Sequence, residues 1–157
     1  MREQKPVSQS ATQQQYLVRP THINHYGRLF GGQLLYWIDE LAGIVAMRHS
    51  SATVTTAAID NLQFQAPAHE GDMIVMLGQV TCVGRSSMEI RVDTFTESPE
   101  GQRQMINRAY IDMVAIDSEG NPIEVPELIL ETDEQKLEYD AAAKRKALRK
   151  QRRREGF

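Results

Sequence analysis

Four residues in the first third of the chain have types and spacing that could support hydrolysis: Asn24, the pair Gly31-Gly32, and Asp39. Asp39 lies in Gly31-Gly32-Gln33-Leu34-Leu35-Tyr36-Trp37-Ile38-Asp39-Glu40-Leu41-Ala42-Gly43-Ile44-Val45-Ala46-Met47, a stretch apolar nearly all round. Such a helix belongs in a core or an interface. A carboxylate there is costly unless it is paired or has a task, such as activating water. Glycines where a helix opens leave backbone N–H groups free to polarise an incoming carbonyl oxygen. The amide of Asn24 sits in the loop leading into the same helix and could orient a substrate or a water.

Each residue also has a plainer reading. Gly31-Gly32 could be a tight opening of the helix, and Asn24 a turn or cap residue. Asp39 could be a helix-face residue paired with Arg28 or Arg48, with Glu40 as its surface neighbour. Asp39 lies seven residues beyond Gly32, two turns or about 10.5 Å along one helix. The two therefore cannot touch one carbon within a single helix. If two such helices pack antiparallel across a dimer, the start of one approaches the middle of the other, and the site is shared.

The remaining candidates are weaker. His22 and His25 could supply a base, but no Ser or Cys nucleophile is placed with them, and two His with one Asp at irregular spacing make a poor metal set. No metal site is expected. Cys82 reads as a strand-packing residue. No nucleophile elbow, phosphate loop or dinucleotide fingerprint occurs. Gly84-Arg85-Ser86-Ser87 is a turn carrying a guanidinium, two hydroxyls and exposed N–H groups. It reads either as a phosphate holder or as an ordinary polar hairpin.

The elements that must position these groups follow from the pattern. Residues 1–12 read as a loose polar tail, and Gln14 to Val18 as a short strand. Pro20 to Phe30 is a polar loop, and the helix runs from Gly31 or Gly32 to about Ser50. Four strand-like runs follow: Val54 to Phe64, Asp72 to Val83, Met88 to Thr96 and Gln102 to Asp117. Short turns at Gly84 to Ser87 and Ser98 to Gly101 join three of them. After Pro126 the chain reads as helical, acidic first and basic later, which suits the helix dipole. The order predicts an α+β fold, a curved antiparallel sheet around one long central helix. It divides into a tail (1–12), a main domain (13–126) and a C-terminal acidic-then-basic helix (127–157). The apolar helix needs more cover than one small sheet, so a dimer is expected.

The 157 residues carry a net charge of −3 and a hydrophobic fraction of 41%. The charge is uneven. Residues 144–155 hold eight Lys/Arg against one acid, a net +7, while the remainder holds ten basic and twenty acidic residues, a net −10. The basic end has no interleaved aromatics, so it reads better as a helix lying against an acidic body than as a nucleic-acid reader. One cysteine excludes an intrachain disulfide. No signal peptide or membrane-spanning run is visible, and a cytoplasmic protein is expected.

Taken together, Asn24-x-x-Gly27-x-x-x-Gly31-Gly32-x-Leu34-x-x-x-Ile38-Asp39-Glu40-x-Ala42-Gly43 resembles the signature of the hotdog-fold acyl-CoA thioester hydrolases. The subgroup is that of the bacterial cytosolic enzymes and the two-domain brain-type animal enzymes. Ile59-Asp60-Asn61-Leu62-Gln63-Phe64, Gly84-Arg85-Ser86-Ser87-Met88-Glu89-Ile90 and Pro126-Glu127-Leu128 add to the resemblance, which covers roughly residues 14–150. It implies a five- or six-stranded sheet around a central helix, edge-to-edge dimers, and commonly hexamers built as trimers of dimers. It implies hydrolysis of acyl-CoA to free acid and CoA without a further cofactor. It maps a catalytic aspartate onto Asp39, a partner-supplied asparagine onto Asn24, and CoA-phosphate contacts onto Gly84, Arg85, Ser86 and Ser87. The same fold also serves acyl-thioester hydratases and non-catalytic acyl-CoA sensors. The first work through a His with a carboxylate, which is not placed on this central helix.

Overall fold

A computed structural model describes residues 1–60 and 62–157. In chain order the elements are β1 (Gln4–Pro6), α1 (Val7–Ser10), β2 (Thr12–Leu17), a 3-10 turn (Pro20–His22), α2 (Gly31–Ser50), β3 (Thr53–Asp60), β4 (Met73–Val83), β5 (Ser87–Glu97), β6 (Arg103–Ile116), β7 (Glu127–Ile129) and α3 (Asp133–Glu155). Five strands form one antiparallel sheet in the order β2-β4-β5-β6-β3. It curls around α2 as the hotdog fold requires.

One face of α2 supplies the core. Leu34, Trp37, Ile38, Leu41, Ala42, Val45, Ala46 and His49 recur at helical spacing and are all buried. They meet the inward residues of the sheet, among them Met76, Val80, Met88, Ile90, Val92, Ile111 and Met113. Close approach depends on Gly78 in β4. A Cβ there would stand 3.0 Å from Val45 Cγ2 and 3.1 Å from Leu41 Cγ. The missing side chain lets the helix settle onto the middle of the sheet. The helix ends at Ser51, whose φ of 56° is left-handed and whose N–H donates to the Met47 carbonyl at 2.8 Å.

The other face of α2 is uncovered in a single chain. Tyr36 and Met47 are 62% and 46% exposed, and Asp39 is half-exposed. The expectation of a carboxylate sunk in a fully apolar helix therefore does not hold within one chain, because the sheet reaches only one side of the helix.

The outer face of the sheet is also covered. Met88, Ile90, Val92 and Thr94 point inward, yet the alternate residues Glu89, Arg91 and Asp93 are buried too. The cover is α3, which lies on that face through ion pairs. Glu89 accepts from Arg145 Nη2 and Arg149 Nη1, both at 2.8 Å, and from Thr81 Oγ1. Arg149 and Arg152 reach Asp60, and Arg91 reaches Glu134 and Glu138. Burial alone would raise Glu89, but its bonds to Arg145, Thr81 and Arg149 hold it below the ordinary carboxylate range. Part of the basic run is thus consumed within the molecule.

Three expectations need correction. Residues 1–12 are no loose tail: β1 pairs in parallel with β7, and Val7 and Ser10 are buried. The segment after Pro126 first makes β7, and the helix starts only at Asp133, where the Thr132 hydroxyl accepts the Gln135 N–H. The alternation read from Val54 to Phe64 breaks early. A bulge between Thr56 and Ala58 shifts the register, and β3 ends at Asp60. Asn61, quoted above within a motif, lies outside the described residues.

Candidate active site

Asn24 opens a short loop that folds back on itself. Its Oδ1 accepts the N–H groups of Tyr26 at 2.9 Å and Arg28 at 3.2 Å, and its own N–H donates to the Arg28 carbonyl at 2.7 Å. Gly27, at φ 75°, makes the turn possible. Two backbone donors on Oδ1 fix the amide's orientation, which leaves Nδ2 as the donor turned to other use. The loop is pinned at both ends. Phe30 N–H donates to the His22 carbonyl and Leu29 N–H to the Ala68 carbonyl. The stacked rings of Tyr16 and Trp37, 4.4 Å apart, brace its start, and His22 sets its edge on Trp37 at 5.0 Å.

The loop runs into α2. Phe30 is the cap residue, and no side chain caps the helix. The Phe30 carbonyl takes the N–H groups of Gln33 and Leu34, so those of Gly31 and Gly32 form the open end. The Phe30 ring, 55% exposed, lies over Gly32 where a Cβ would stand. Asn24 and Gly31 line one cleft of about 310 Å³ with Phe64, Gln65 and Pro67.

Asp39 does not line that cleft. It lies eight residues beyond Gly31, about 12 Å along the helix axis. Its Oδ1 accepts the Thr56 hydroxyl of edge strand β3 at 2.6 Å. Neither Arg28 nor Arg48 pairs with it among the described residues; Arg48 donates instead to the Thr12 hydroxyl. Thr56 was missed in the sequence. It stood out there only as one β-branched residue in a strand, with nothing to show that it faces a helix carboxylate.

Gly84 to Ser87 turn between β4 and β5, with Gly84 N–H donating to the Ser87 carbonyl at 2.8 Å. This hairpin borders a second, separate cleft of about 200 Å³, shared with Lys146 and Arg149 of α3. Cys82 lines it as well. Burial pushes its thiol up to about 11, so it stays protonated near neutrality and is no nucleophile. His22 is occupied in the loop, its Nδ1 accepting the Arg19 N–H at 3.0 Å.

A single chain thus holds two separate groupings: an open helix start with an amide, and a carboxylate with its hydroxyl partner on the exposed face of the same helix. The Thioesterase superfamily profile matches residues 26–101. An uncharacterized acyl-CoA thioester hydrolase of Bacillus subtilis, YkhA, is 36% identical over 138 residues, which cover 87% of this chain and 80% of that protein. The chain belongs to this thioesterase family. Mammalian cytosolic acyl coenzyme A thioester hydrolases are 32% identical over 142 residues, but this chain spans only 37% of their length.

Among solved structures, a hexameric acyl-CoA thioesterase superposes with a TM-score of 0.89 at 38% identity, over 96% of this chain and 97% of that one. An acyl-CoA hydrolase of Staphylococcus aureus, in complex with butyryl-CoA, CoA and CoA disulfide, superposes with a TM-score of 0.90 at 36% identity, over 98% and 94%. The same enzyme has been solved with single alanine replacements of an aspartate, an asparagine and a threonine.

Proposed function

We propose that this protein hydrolyses acyl-CoA to free acid and CoA, at sites completed by two copies of the chain. The observation that carries this reading is the division of the site. Asn24 and Gly31 share a cleft, whereas Asp39 lies two turns further along α2, on its exposed face, bonded to Thr56 of β3. Antiparallel packing of two such helices would bring one copy's Asp39 to the other copy's helix start. Tyr36 and Met47 supply exposed apolar surface for that packing. The S. aureus comparison adds support. Its three replaced residues stand 15 and 17 positions apart, the separations of Asn24, Asp39 and Thr56 here.

In this reaction the thioester carbonyl oxygen points at the N–H groups of Gly31 and Gly32. Asn24 Nδ2 orients the carbonyl or the attacking water. Asp39 takes the proton from that water as its oxygen attacks the carbonyl carbon, with Thr56 holding the carboxylate in register. The oxyanion that forms is stabilised by the helix start. Collapse breaks the C–S bond and releases CoA as a thiolate of pKa near ~8.5, a leaving group that needs little acid assistance. Direct attack by Asp39 to give an anhydride is the other route, and oxygen-18 from water appearing on Asp39 would reveal it. The Gly84-Arg85-Ser86-Ser87 hairpin takes a phosphate of CoA. The hexameric relative makes a trimer of dimers the expected assembly.

The test is thiol release from acyl-CoAs of increasing chain length, with wild type and Asp39→Asn side by side. Release should fall by about 10²-fold or more in the variant. Near-normal turnover would remove Asp39 from the mechanism. Binding without release in the wild type would favour a sensor instead.

A further inference from the structure

We propose that Arg2 is a positioning residue for CoA binding, which it serves by presetting the backbone of the Gly84 to Ser87 hairpin. The proposal rests on the reading of that hairpin as a CoA-phosphate contact. Arg2 Nε donates to the Val125 carbonyl, and Nη2 donates to the carbonyls of Gly84 and, at 3.3 Å, Arg85. The Arg85 carbonyl also accepts the Val125 N–H at 2.8 Å.

The consequence follows from peptide geometry. All described peptides are trans, and in a trans peptide the carbonyl of one residue points opposite to the N–H of the next. With the carbonyls of Gly84 and Arg85 both drawn to one side, the N–H groups of Arg85 and Ser86 face the other. Neither finds an acceptor among the described residues. Two successive outward N–H groups form a concave anion seat. The Arg85 side chain is exposed and bears no ion pair among the described residues, so it is available beside them. A Cβ at Gly84 would stand 2.5 Å from Ser87 Oγ, so the bare backbone leaves that hydroxyl its place beside the turn.

Arg2 is itself held in place by β1. Gln4 pairs with Glu127, and Glu127 N–H donates to the Glu3 carbonyl at 2.7 Å. The amino-terminal arm is therefore the back wall of the phosphate seat. Lysine at this position cannot replace the fork, since a point-like ammonium does not reproduce two guanidinium nitrogens shared among three carbonyls.

The experiment measures kcat and KM for wild type, Arg2→Met and Arg2→Lys with two esters of the same acyl group, one on CoA and one on pantetheine, which lacks the nucleotide. Wild type should prefer the CoA ester. Arg2→Met should raise KM for the CoA ester about five- to tenfold, the loss of one charge-assisted contact. Its kcat and its constants for the pantetheine ester should stay near wild type, and Arg2→Lys should recover little. An unchanged KM for the CoA ester, or equal losses on both esters, overturns the proposal. A wild type that treats both esters alike overturns the phosphate reading of the hairpin instead, and the role of Arg2 with it.

Discussion

At the scale of single residues, the Thr56 to Asp39 bond ties edge strand to helix at 2.6 Å. A carboxylate that must take a proton from water needs a fixed orientation, and a hydroxyl donor on one oxygen provides it while leaving the second oxygen free. Thr56→Val keeps the strand shape and removes only the donor. We expect kcat to fall about tenfold, the worth of a hydrogen bond to a charged group, with KM nearly unchanged. Steady-state thiol release checks this, and an unaltered kcat would make Thr56 a bystander. Asp39 stood out in the sequence as a candidate only through its setting in an apolar helix and the motif around it. The partner of Asp39 was not legible, because strand-to-helix contacts depend on the bulge that turns β3 between Thr56 and Ala58.

At the scale of elements, α2 and α3 hold to the sheet by different physics. The α2 helix packs by apolar burial and ends in a buried histidine. His49 is fully buried, with Nε2 at 2.9 Å from the Pro126 carbonyl and Nδ1 unpartnered. Burial pushes its pKa below the ordinary value, which the unfolded chain keeps near ~6.5. As the pH falls through that value, the unfolded chain binds a proton that the folded chain resists. Stability should therefore be full above about pH 7 and decline toward pH 5.5, and His49→Gln should flatten that slope. Urea titrations at several pH values decide it.

The α3 helix instead packs through charge. Glu89, with a side chain 1% exposed, holds Arg145 and Arg149 against the sheet. Glu89→Leu removes the buried carboxylate between two guanidinium groups, leaving Arg149 only Asp60 and Arg145 only Glu138. Breaking such a pair costs about 3–5 kcal/mol, which the same titrations would register. A loss well under 1 kcal/mol would mean that water screens the contact. The sequence suggested that the basic end lies against an acidic body. It did not show which acids, since Asp60 and Glu89 lie on different strands far from α3 in the chain.

At the scale of the whole molecule, the proposed site is divided between two copies, so complementation should reveal the assembly. Asn24→Ala and Asp39→Ala should each be inactive alone. Unfolded together and refolded as a mixture, they should recover about a quarter of wild-type activity, since half of the random dimers are mixed and each has one intact site. No recovery from a mixture shown to contain mixed dimers would place both residues in one chain's site. No helix among the described residues is long and apolar enough to cross a membrane.

The sequence by itself determined the central helix and the four long strands that follow it, because periodicity and turn chemistry are local properties carried by neighbouring residues. Gly31-Gly32, Asp39 and the Gly84 hairpin stood out as candidates for the same reason. Only the tertiary structure decided that residues 4–6 pair with β7, that Val7–Ser10 pack on α2 and β4, and that Thr56 meets Asp39. It also decided that Asn24 shares a cleft with Gly31 while Asp39 stands apart. Those outcomes rest on contacts between residues distant in the chain, set by strand register, a bulge and the packing of helices on a curled sheet, and no local pattern encodes them.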